Sequence, residues 1–279
     1  MRPVQVPTWI DHALGLLAYV YLGAAVLFAA TGAAWIICRY DPFVGLFRLT
    51  SSASMLALSA AFLGVGLFIG RPYCRWLCPY GAILALFSRV SWRHLKIPPQ
   101  QCVQCRLCED ACPYGAIQRP TVALSPVERM AGRRRLIGVL CTAPILIATG
   151  ALLGFAMRSS LATLHPTIQL AEQIRLEQSG QTTTRTDATE AFRATGESVE
   201  SLYGRADTVV EKFAWGGAIF GGWVGLVFAV KLVQLSVRRR RTDYEPDRGA
   251  CVSCGRCFWY CPEEHMRQEF IQIQPGEER

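Results

Sequence analysis

Histidine is scarce in this sequence, and its absence from the apolar stretches limits the cofactors that the chain can hold. The four histidines among the 279 residues are His12, His94, His165 and His265. None of them lies in the middle of a long apolar run, and no two occupy matching depths in neighbouring runs. Haem iron is commonly held by axial histidines, so a haem inside a bilayer is not expected for this chain.

Charged residues are few as well, and the apolar residues form long blocks. Charged residues make up 18% of the chain and hydrophobic residues 51%. A bilayer core requires about 20 mostly apolar residues in a helix. The blocks predict four membrane-spanning helices, at residues 13–37, 53–70, 136–156 and 213–236. The first block is too long for the apolar region of a signal peptide and is expected to be retained.

Acidic residues are rare in two of the segments that flank these blocks, and this asymmetry predicts the orientation of the chain. Residues 71–135 contain 11 Lys and Arg against 3 Asp and Glu, and four arginines follow the last block at 238–241. Residues 159–212 contain 5 basic and 8 acidic residues. Basic loops stay in the cytoplasm, so both termini are expected there in a multi-pass protein of the bacterial inner membrane. The net charge of +8 follows from this topology, and no nucleic-acid partner is expected.

The chain has 12 cysteines, but a disulfide framework is not expected because cytoplasmic thiols stay reduced. Eight of them repeat the spacing C-x2-C-x2-C-x3-C-P, which is typical of bacterial ferredoxins that bind [4Fe–4S] clusters. Structural zinc is the alternative, but zinc sites usually pair two C-x2–4-C knuckles across a longer gap. The first run is Cys102, Cys105, Cys108 and Cys112, and the second is Cys251, Cys254, Cys257 and Cys261.

The fourth cysteine of each run is expected to bind the cluster of the other run, as in two-cluster ferredoxins. One cluster would then be held by Cys102, Cys105, Cys108 and Cys261, and the other by Cys251, Cys254, Cys257 and Cys112. Two predicted spans and the outer segment, residues 159–212, separate the two runs. An even number of spans returns the chain to the side it left, so both clusters are expected in the cytoplasm.

The sequence therefore predicts an α-helical integral membrane protein with four transmembrane helices. It also predicts a cytoplasmic bacterial-type 2[4Fe–4S] ferredoxin module that is assembled from two separated segments. The predicted order is a two-span hairpin at 1–70, a cytoplasmic segment at 71–98, the first ferredoxin half at 99–135, a second hairpin with the outer helical segment at 136–236, and the second ferredoxin half at 237–279.

A further cysteine pair, Cys74 and Cys78, lies in the segment RPYCRWLCPYGAI, whose last six residues recur at Cys112. Proline disfavours a helical conformation in the residue before it, so Pro79 is expected to begin a new helix that ends at about Ser91, with Cys78 at its cap. Two thiolates cannot complete a four-cysteine cluster. The pair could bind a metal with another residue or subunit, form a reversible disulfide, or pack at the membrane interface.

With these motifs the chain resembles the membrane polyferredoxins of the NosR/NapH type. The former is associated with nitrous oxide reductase and the latter with quinol oxidation for periplasmic nitrate reductase. The resemblance is carried by the C-x3-C-P motif after a span and the two ferredoxin runs. The chain departs from the family in having one C-x3-C-P motif and an altered copy, Cys38-Arg-Tyr-Asp-Pro42, and no flavin-binding domain is expected before its first span.

The expected function is that of an electron-transfer subunit rather than a stand-alone enzyme, and no catalytic residue is assigned. The clusters would relay electrons between a cytoplasmic or quinol-linked donor and a membrane or periplasmic respiratory partner. The alternative is an assembly or maturation factor that supplies electrons or metal to a copper-containing reductase. Redox partner proteins and the lipid bilayer are the expected partners.

Overall fold

The computed structural model describes residues 6–33, 41–48, 52–93, 95–97, 102–121, 125–182, 185–237 and 240–273. Within these ranges the chain is mostly helical, with a small antiparallel pair of strands, β1 (Ile117–Gln118) and β2 (Glu245–Pro246). The helices are α1 (Thr8–Thr31), α2 (Pro42–Arg48), α3 (Ala53–Gly66), α4 (Pro72–Trp76), α5 (Pro79–Val90), α6 (Leu107–Ala111), α7 (Pro126–Ala156), α8 (Arg158–Ala162), α9 (Pro166–Gln178), α10 (Asp187–Ala194), α11 (Val199–Ser236), α12 (Arg256–Trp259) and α13 (Pro262–Ile273).

The chain divides into two compact units. The first unit combines Met1–Ala18, Leu58–Leu136 and Leu235–Arg279, so it contains both cysteine runs and the Cys74/Cys78 pair. The second unit combines Tyr19–Ala57 and Ile137–Gln234. Each unit is therefore built from segments that are far apart in the sequence.

Among the described residues, three helices are long and apolar enough to cross a membrane, at Trp9–Thr31, Pro126–Ala156 and Val199–Ser236. The block predicted as the second span forms α3, which has only 14 residues. Glycine weakens a helix because its backbone loses the most freedom on folding. Gly64 and Gly66 lie in the last turn of α3, and Gly70 lies four residues beyond its end. Three of the four predicted spans thus correspond to helices long enough to cross a membrane, and the second span stays a prediction.

Helix α1 lies nearer to the N-terminus than predicted. It ends at Thr31 because the next residue, Gly32, adopts a left-handed backbone with φ of 96°. The amide of Ala33 donates to the carbonyl of Phe28 at 2.8 Å, and the amide of Gly32 donates to that of Ala29 at 3.2 Å. These two bonds form a Schellman motif, which closes a helix. Residues 34–37 of the predicted span lie outside the described residues.

Helices α7 and α11 end where the sequence predicted, at Ala156 and Ser236, but both begin earlier. The start of α7 is fixed by a capping box: the Ser125 amide donates to Glu128 Oε2 at 2.9 Å, and the Glu128 amide donates to Ser125 Oγ at 3.3 Å. Helix α11 begins at Val199, so the last part of the outer segment continues directly into the span. The N-terminal part of α11 packs with α9 and α10 around Ile174, Phe192 and Leu202.

Glycines on α7 and α11 allow the backbones of these helices to come very close. A Cβ added to Gly150 or Gly154 would lie less than 3.0 Å from the carbonyl oxygen of Gly221 or Gly217, respectively. The reverse holds for Cβ atoms added to Gly217 and Gly221. The spacings Gly150-x3-Gly154 and Gly217-x3-Gly221 are the small-residue pattern that lets membrane helices pack backbone to backbone. We call these four residues the glycine seam.

Candidate iron–sulfur sites

The two cysteine runs share an unusual backbone conformation. In the first run the residues on either side of the second cysteine, Gln104 and Arg106, have φ values of 53° and 65°. The corresponding residues of the second run, Ser253 and Gly255, have φ values of 52° and 75°. Such left-handed conformations are unfavourable for residues other than glycine. Because the two loops repeat them at the same positions, the curled path is a property of the motif.

The left-handed Arg106 and Gly255 provide a test of this conformation. Replacing Arg106 by glycine is expected to stabilise the protein by about 0.5–1 kcal/mol, because it relieves the strain of a left-handed residue, about 1–2 kcal/mol, and this exceeds the added entropy of the unfolded chain. Replacing Gly255 by alanine is expected to cost about 1 kcal/mol through its φ alone, because no atom lies within 4 Å of the added Cβ. The measurement is thermal unfolding of the cluster-loaded protein. If the two substitutions changed the unfolding temperature in the same direction, the two loops would differ in backbone conformation at these positions.

Each loop runs into a short helix that buries the third cysteine. Cys108 lies in α6 and Cys257 in α12, and both side chains are buried. The second cysteines, Cys105 and Cys254, are exposed on the loops. The first cysteines, Cys102 and Cys251, are half-buried. The first three thiols of the two runs therefore lie at matching depths, whereas the fourth differs, since Cys112 is buried and Cys261 is half-buried.

A short sheet joins the two halves. Ile117 of β1 pairs with Pro246 of β2, and the Asp247 amide donates to the Ala116 carbonyl at 2.7 Å. The Gln118 side chain donates to Asp247 Oδ2 at 2.8 Å, across 129 positions of sequence. Segments on opposite sides of the long insert thus meet in one unit, as the two-segment prediction requires.

Four of the predicted ligands face a common space. Cys102, Cys105 and Cys108 of the first run line a cavity together with Cys261 of the second run, and Cys257 also reaches its wall. This is the set of residues that was predicted to hold one cluster. The thiols are soft donors of the kind that iron–sulfur clusters take, so the residues present fit such a group.

Three members of the second predicted set lie together: Cys112 and Cys257 belong to one buried cluster, and Cys251 packs against it. Cys108 of the first run belongs to the same cluster. Burial raises the pKa of the Cys257 thiol, and the nearby sulfurs of Cys251 and Cys112 raise it further. The Ala116 amide donates to Cys112 Sγ at 3.4 Å, a type of hydrogen bond that adjusts cluster potentials. Cys254 lies on the exposed part of the same loop. The fourth cysteine of the first run therefore lies beside the second run.

The first half shows the same electrostatic pattern. Burial raises the pKa of the Cys108 thiol to about 11, and the neighbouring sulfurs of Cys102, Cys105 and Cys257 contribute in the same direction. Iron binds the thiolate, so loading a cluster must release the proton of this thiol. A crowded set of thiols is unfavourable when charged, and a bound cation would relieve the repulsion.

The Cys74/Cys78 pair lies outside these two sets. Cys74 is exposed in α4, and Cys78 caps α5, which begins at Pro79 as predicted and ends at Val90. Although the residue is exposed as a whole, partial burial of its thiol raises the pKa of Cys74, and the proximity of Cys78 adds to this effect. Among the described residues, no group of three or more His, Cys, Asp or Glu side chains is placed to hold a single metal ion. The additional metal or redox site predicted for this pair stays a prediction.

An acidic residue that the sequence reasoning missed positions the residues between these two cysteines. Asp11 in α1 accepts hydrogen bonds from Arg75 Nε at 2.5 Å and from Trp76 Nε1 at 2.9 Å. Trp76 is buried. The only sequence signal was a carboxylate at the start of an apolar block, where a charge needs a partner.

The repeated hexapeptide CPYGAI uses its glycine in two ways. A Cβ on Gly81 would lie much closer than 3.0 Å to the carbonyl oxygen of Cys74, so this glycine lets α4 and α5 approach. Gly115 has φ of 60° and open space around it, so it serves a left-handed turn. The second copy contacts a residue that precedes the first: the guanidinium of Arg71, seven positions before Cys78, lies 5.3 Å from the centre of the Tyr114 ring.

We expect Gly81→Ala to be the more damaging of the two matched glycine substitutions. The added methyl group must displace the backbone of α4 or α5, an overpacking effect of about 1–3 kcal/mol. Gly115→Ala is expected to cost about 1 kcal/mol, through backbone conformation alone. Both are compared by thermal unfolding. Equal losses at the two positions would contradict the close approach at Gly81.

Two protein families match the chain in this region. Residues 52–98, which include Cys74 and Cys78, match a 4Fe–4S binding domain, and residues 95–118, which include the first cysteine run, match a second 4Fe–4S binding domain. Together with the apolar helices, these matches define a ferredoxin-type iron–sulfur membrane protein.

The similar proteins agree with this class. Protein NirI of Paracoccus denitrificans is 35% identical over 133 residues, which are 46% of this chain and 19% of NirI. The putative electron transport protein YccM of Escherichia coli is 26% identical over 122 residues, which are 40% of this chain and 34% of YccM. The alignments thus span well under two thirds of either relative. No solved structure shows a significant match.

These relatives support an iron–sulfur electron-transfer function and the membrane class of the polyferredoxin resemblance. They do not single out the NosR/NapH type. An uncharacterised protein of Methanocaldococcus jannaschii, MJ0749, is 45% identical over 56 residues, which are 20% of this chain and 23% of that protein.

Proposed function

We propose that the protein is a membrane-bound electron carrier with two [4Fe–4S] clusters. Cys102, Cys105, Cys108 and Cys261 would hold the first, and Cys251, Cys254, Cys257 and Cys112 would hold the second. The observation that carries this proposal is the pair of loops with the same left-handed residues, joined by β1 and β2 into one unit. When bound, the clusters would supply one-electron redox chemistry. The chain would hold them by thiolate ligation and adjust their potentials.

The apolar helix α3 completes the arrangement as a fourth, short span. A helix of 14 residues is about 21 Å long, less than the roughly 30 Å of a bilayer core. The apolar residues that follow it, from Leu67 to Ile69, add to this length. With four spans and the basic segments inside, both termini and both clusters lie in the cytoplasm of a bacterial cell.

The clusters would pass electrons between a cytoplasmic or quinol-linked donor and a membrane or periplasmic respiratory partner. The similarity to YccM supports electron transport as the general role, since YccM is described as a putative electron transport protein. The polyferredoxin resemblance supports the respiratory setting. Supply of electrons or metal to a copper-containing reductase is the second candidate, and the exposed Cys74 beside Cys78 is the feature that favours it.

The test is redox titration of the purified protein. About eight irons per chain and two reducible signals in electron paramagnetic resonance are expected. A content of far fewer irons, or clusters that cannot be reduced, would contradict electron transfer.

The variant with both Cys74→Ser and Cys78→Ser separates the two candidate functions. A maturation function predicts that both clusters stay intact while the partner reductase lacks its metal.

A further inference from the structure

Helix α5 presents its apolar side outward. Its small and polar residues face the first unit: Ala82 is buried, and Ser88 Oγ donates to the Arg248 carbonyl. The opposite side carries large apolar residues, and Phe87 is 70% exposed. Trp92, just beyond the helix, is 97% exposed. In a surface helix of a soluble protein the apolar side faces the core. The exposed side of α5 is formed by Tyr80, Leu84, Leu86, Phe87 and Val90.

A cavity of about 350 Å³ opens beside this face. Its apolar wall includes Leu84 and Phe87 of α5, and its polar wall includes Ser91 and the two arginines Arg93 and Arg248. Cys251, a predicted cluster ligand, also lines it. The volume lies in the range of small-ligand sites, roughly 300–1,000 Å³. The cavity therefore combines an apolar surface with two cations.

Both arginines are available to an anion. Neither the Arg93 nor the Arg248 guanidinium forms an ion pair with any residue in the described part of the chain. Arg89 adds positive charge nearby, since its Nε would lie 2.8 Å from a Cβ added to Gly249, the residue after Arg248. Arginine binds phosphate through paired charge-assisted hydrogen bonds. The cavity is thus suited to a phosphate group attached to an apolar body.

We propose that this cavity binds the headgroup of an anionic phospholipid, and that α5 lies in the membrane interface. The phosphate would contact Arg93 and Arg248, and the acyl chains would cover Leu84 and Phe87. Only 12 residues separate the apolar helix α3 from α5, which keeps α5 close to the membrane. Exposed Tyr80 and Trp92 are of the types enriched at membrane interfaces. Interfacial helices combine such an apolar face with Lys and Arg.

This site adds lipid binding to the proposed electron transfer, and the bound lipid would affect the reduction potential of a cluster. A phosphate beside Cys251 would place negative charge near the second cluster. Negative charge disfavours the reduced cluster, which carries one more electron, so anionic lipid is expected to lower the potential of that cluster. Membrane composition would then affect one cluster more than the other.

The experiment uses the cluster-loaded protein in nanodiscs of phosphatidylcholine with or without phosphatidylglycerol. Native mass spectrometry is expected to find one phosphatidylglycerol retained per chain. Arg93→Ala with Arg248→Ala is expected to weaken its retention about tenfold, the effect of losing roughly 1.4 kcal/mol of binding. Lys96→Ala removes an exposed cation of the same segment that does not line the cavity, and it is expected to leave retention unchanged.

A photoreactive benzoylphenylalanine at Phe87 identifies the occupant of the face. It is expected to crosslink to lipid, whereas the same group at the exposed Glu245 is expected not to do so. Crosslinking of Phe87 to a protein instead of lipid would overturn the proposal. So would equal lipid retention by the double arginine variant, or full displacement of phosphatidylglycerol by inorganic phosphate, which would indicate a site for a soluble anion. The iron content is measured in the same samples, so a failed lipid site is distinguishable from a failed electron carrier.

Discussion

Serine at both Cys112 and Cys251 is expected to remove one cluster, whereas serine at both Cys112 and Cys102 is expected to remove two. The first variant should lose about four irons per chain and the second about eight. The comparison is informative because Cys102 and Cys112 belong to the same run, while Cys112 and Cys251 are 139 positions apart.

The expectation follows from where the structure places the fourth cysteines. Cys261 lines the cavity of Cys102, Cys105 and Cys108, and Cys112 lies in one buried cluster with Cys257. If ligands cross between the runs, Cys112 and Cys251 serve the same cluster, so their losses overlap. Ligands that act as one unit are not additive in their effects. Cys112 and Cys102 would then serve different clusters, so their losses sum.

Iron and acid-labile sulfide are measured together with the visible absorbance of each variant. Cys141→Ser is the matched control, because this cysteine is exposed on α7 and far in sequence from both runs. It should retain about eight irons. The reverse order, with about eight irons lost from the Cys112 and Cys251 variant and about four from the Cys112 and Cys102 variant, would show that each run binds its own cluster.

The local features of these sites could be predicted from the sequence because they depend on spacing and on proline. Pro79 begins α5 with Cys78 at its cap, since proline fits the first turn of a helix and not its interior. The ends of α7 and α11 were also predictable, because apolar runs stop where polar residues must reach water. The capping box of Ser125 and Glu128 was readable as Ser-x-x-Glu but was missed.

The features that depend on distant parts of the chain could not be predicted. Nothing local pairs Asp11 with Arg75, which is 64 positions away. The end of α1 depended on the conformation of Gly32, and glycine is also tolerated within membrane helices. The same limit applies to Gly81 and Gly115, which occupy one position of an identical hexapeptide. Their roles differ because their neighbours differ, and neighbours are a property of the fold.

Substitution of glycines in the glycine seam is expected to cause a large loss of stability. Gly154→Val with Gly221→Val is expected to destabilise the protein by several kcal/mol, since overpacking costs about 1–3 kcal/mol at each site. The added side chains would meet backbone rather than flexible side chains: the nearest atoms to a new Cβ at Gly154 are the carbonyl group of Gly217 and Cα of Gly221. Backbone within a helix cannot move aside without breaking the packing of α7 on α11.

We expect the loss to extend to the clusters through the connectivity of the chain. Helix α7 begins eight residues after β1, and α11 ends nine residues before β2. While α7 and α11 are packed together, they shorten the effective loop that must be closed when β1 pairs with β2. Opening it makes the pairing of the two ferredoxin halves entropically more costly. The iron content of the purified double variant should therefore fall together with its thermal stability.

Gly138→Val on the same helix provides the control, because no atom lies within 4 Å of a Cβ at that position. It adds the same side chain to α7 without a steric conflict, so it should retain both stability and iron. The measurements are thermal unfolding in detergent and iron per chain. A seam variant that unfolds like the Gly138 control would show that α7 and α11 do not rely on close packing. A seam variant that is destabilised but keeps all its iron would show that the pairing of β1 with β2 needs no support from the hairpin.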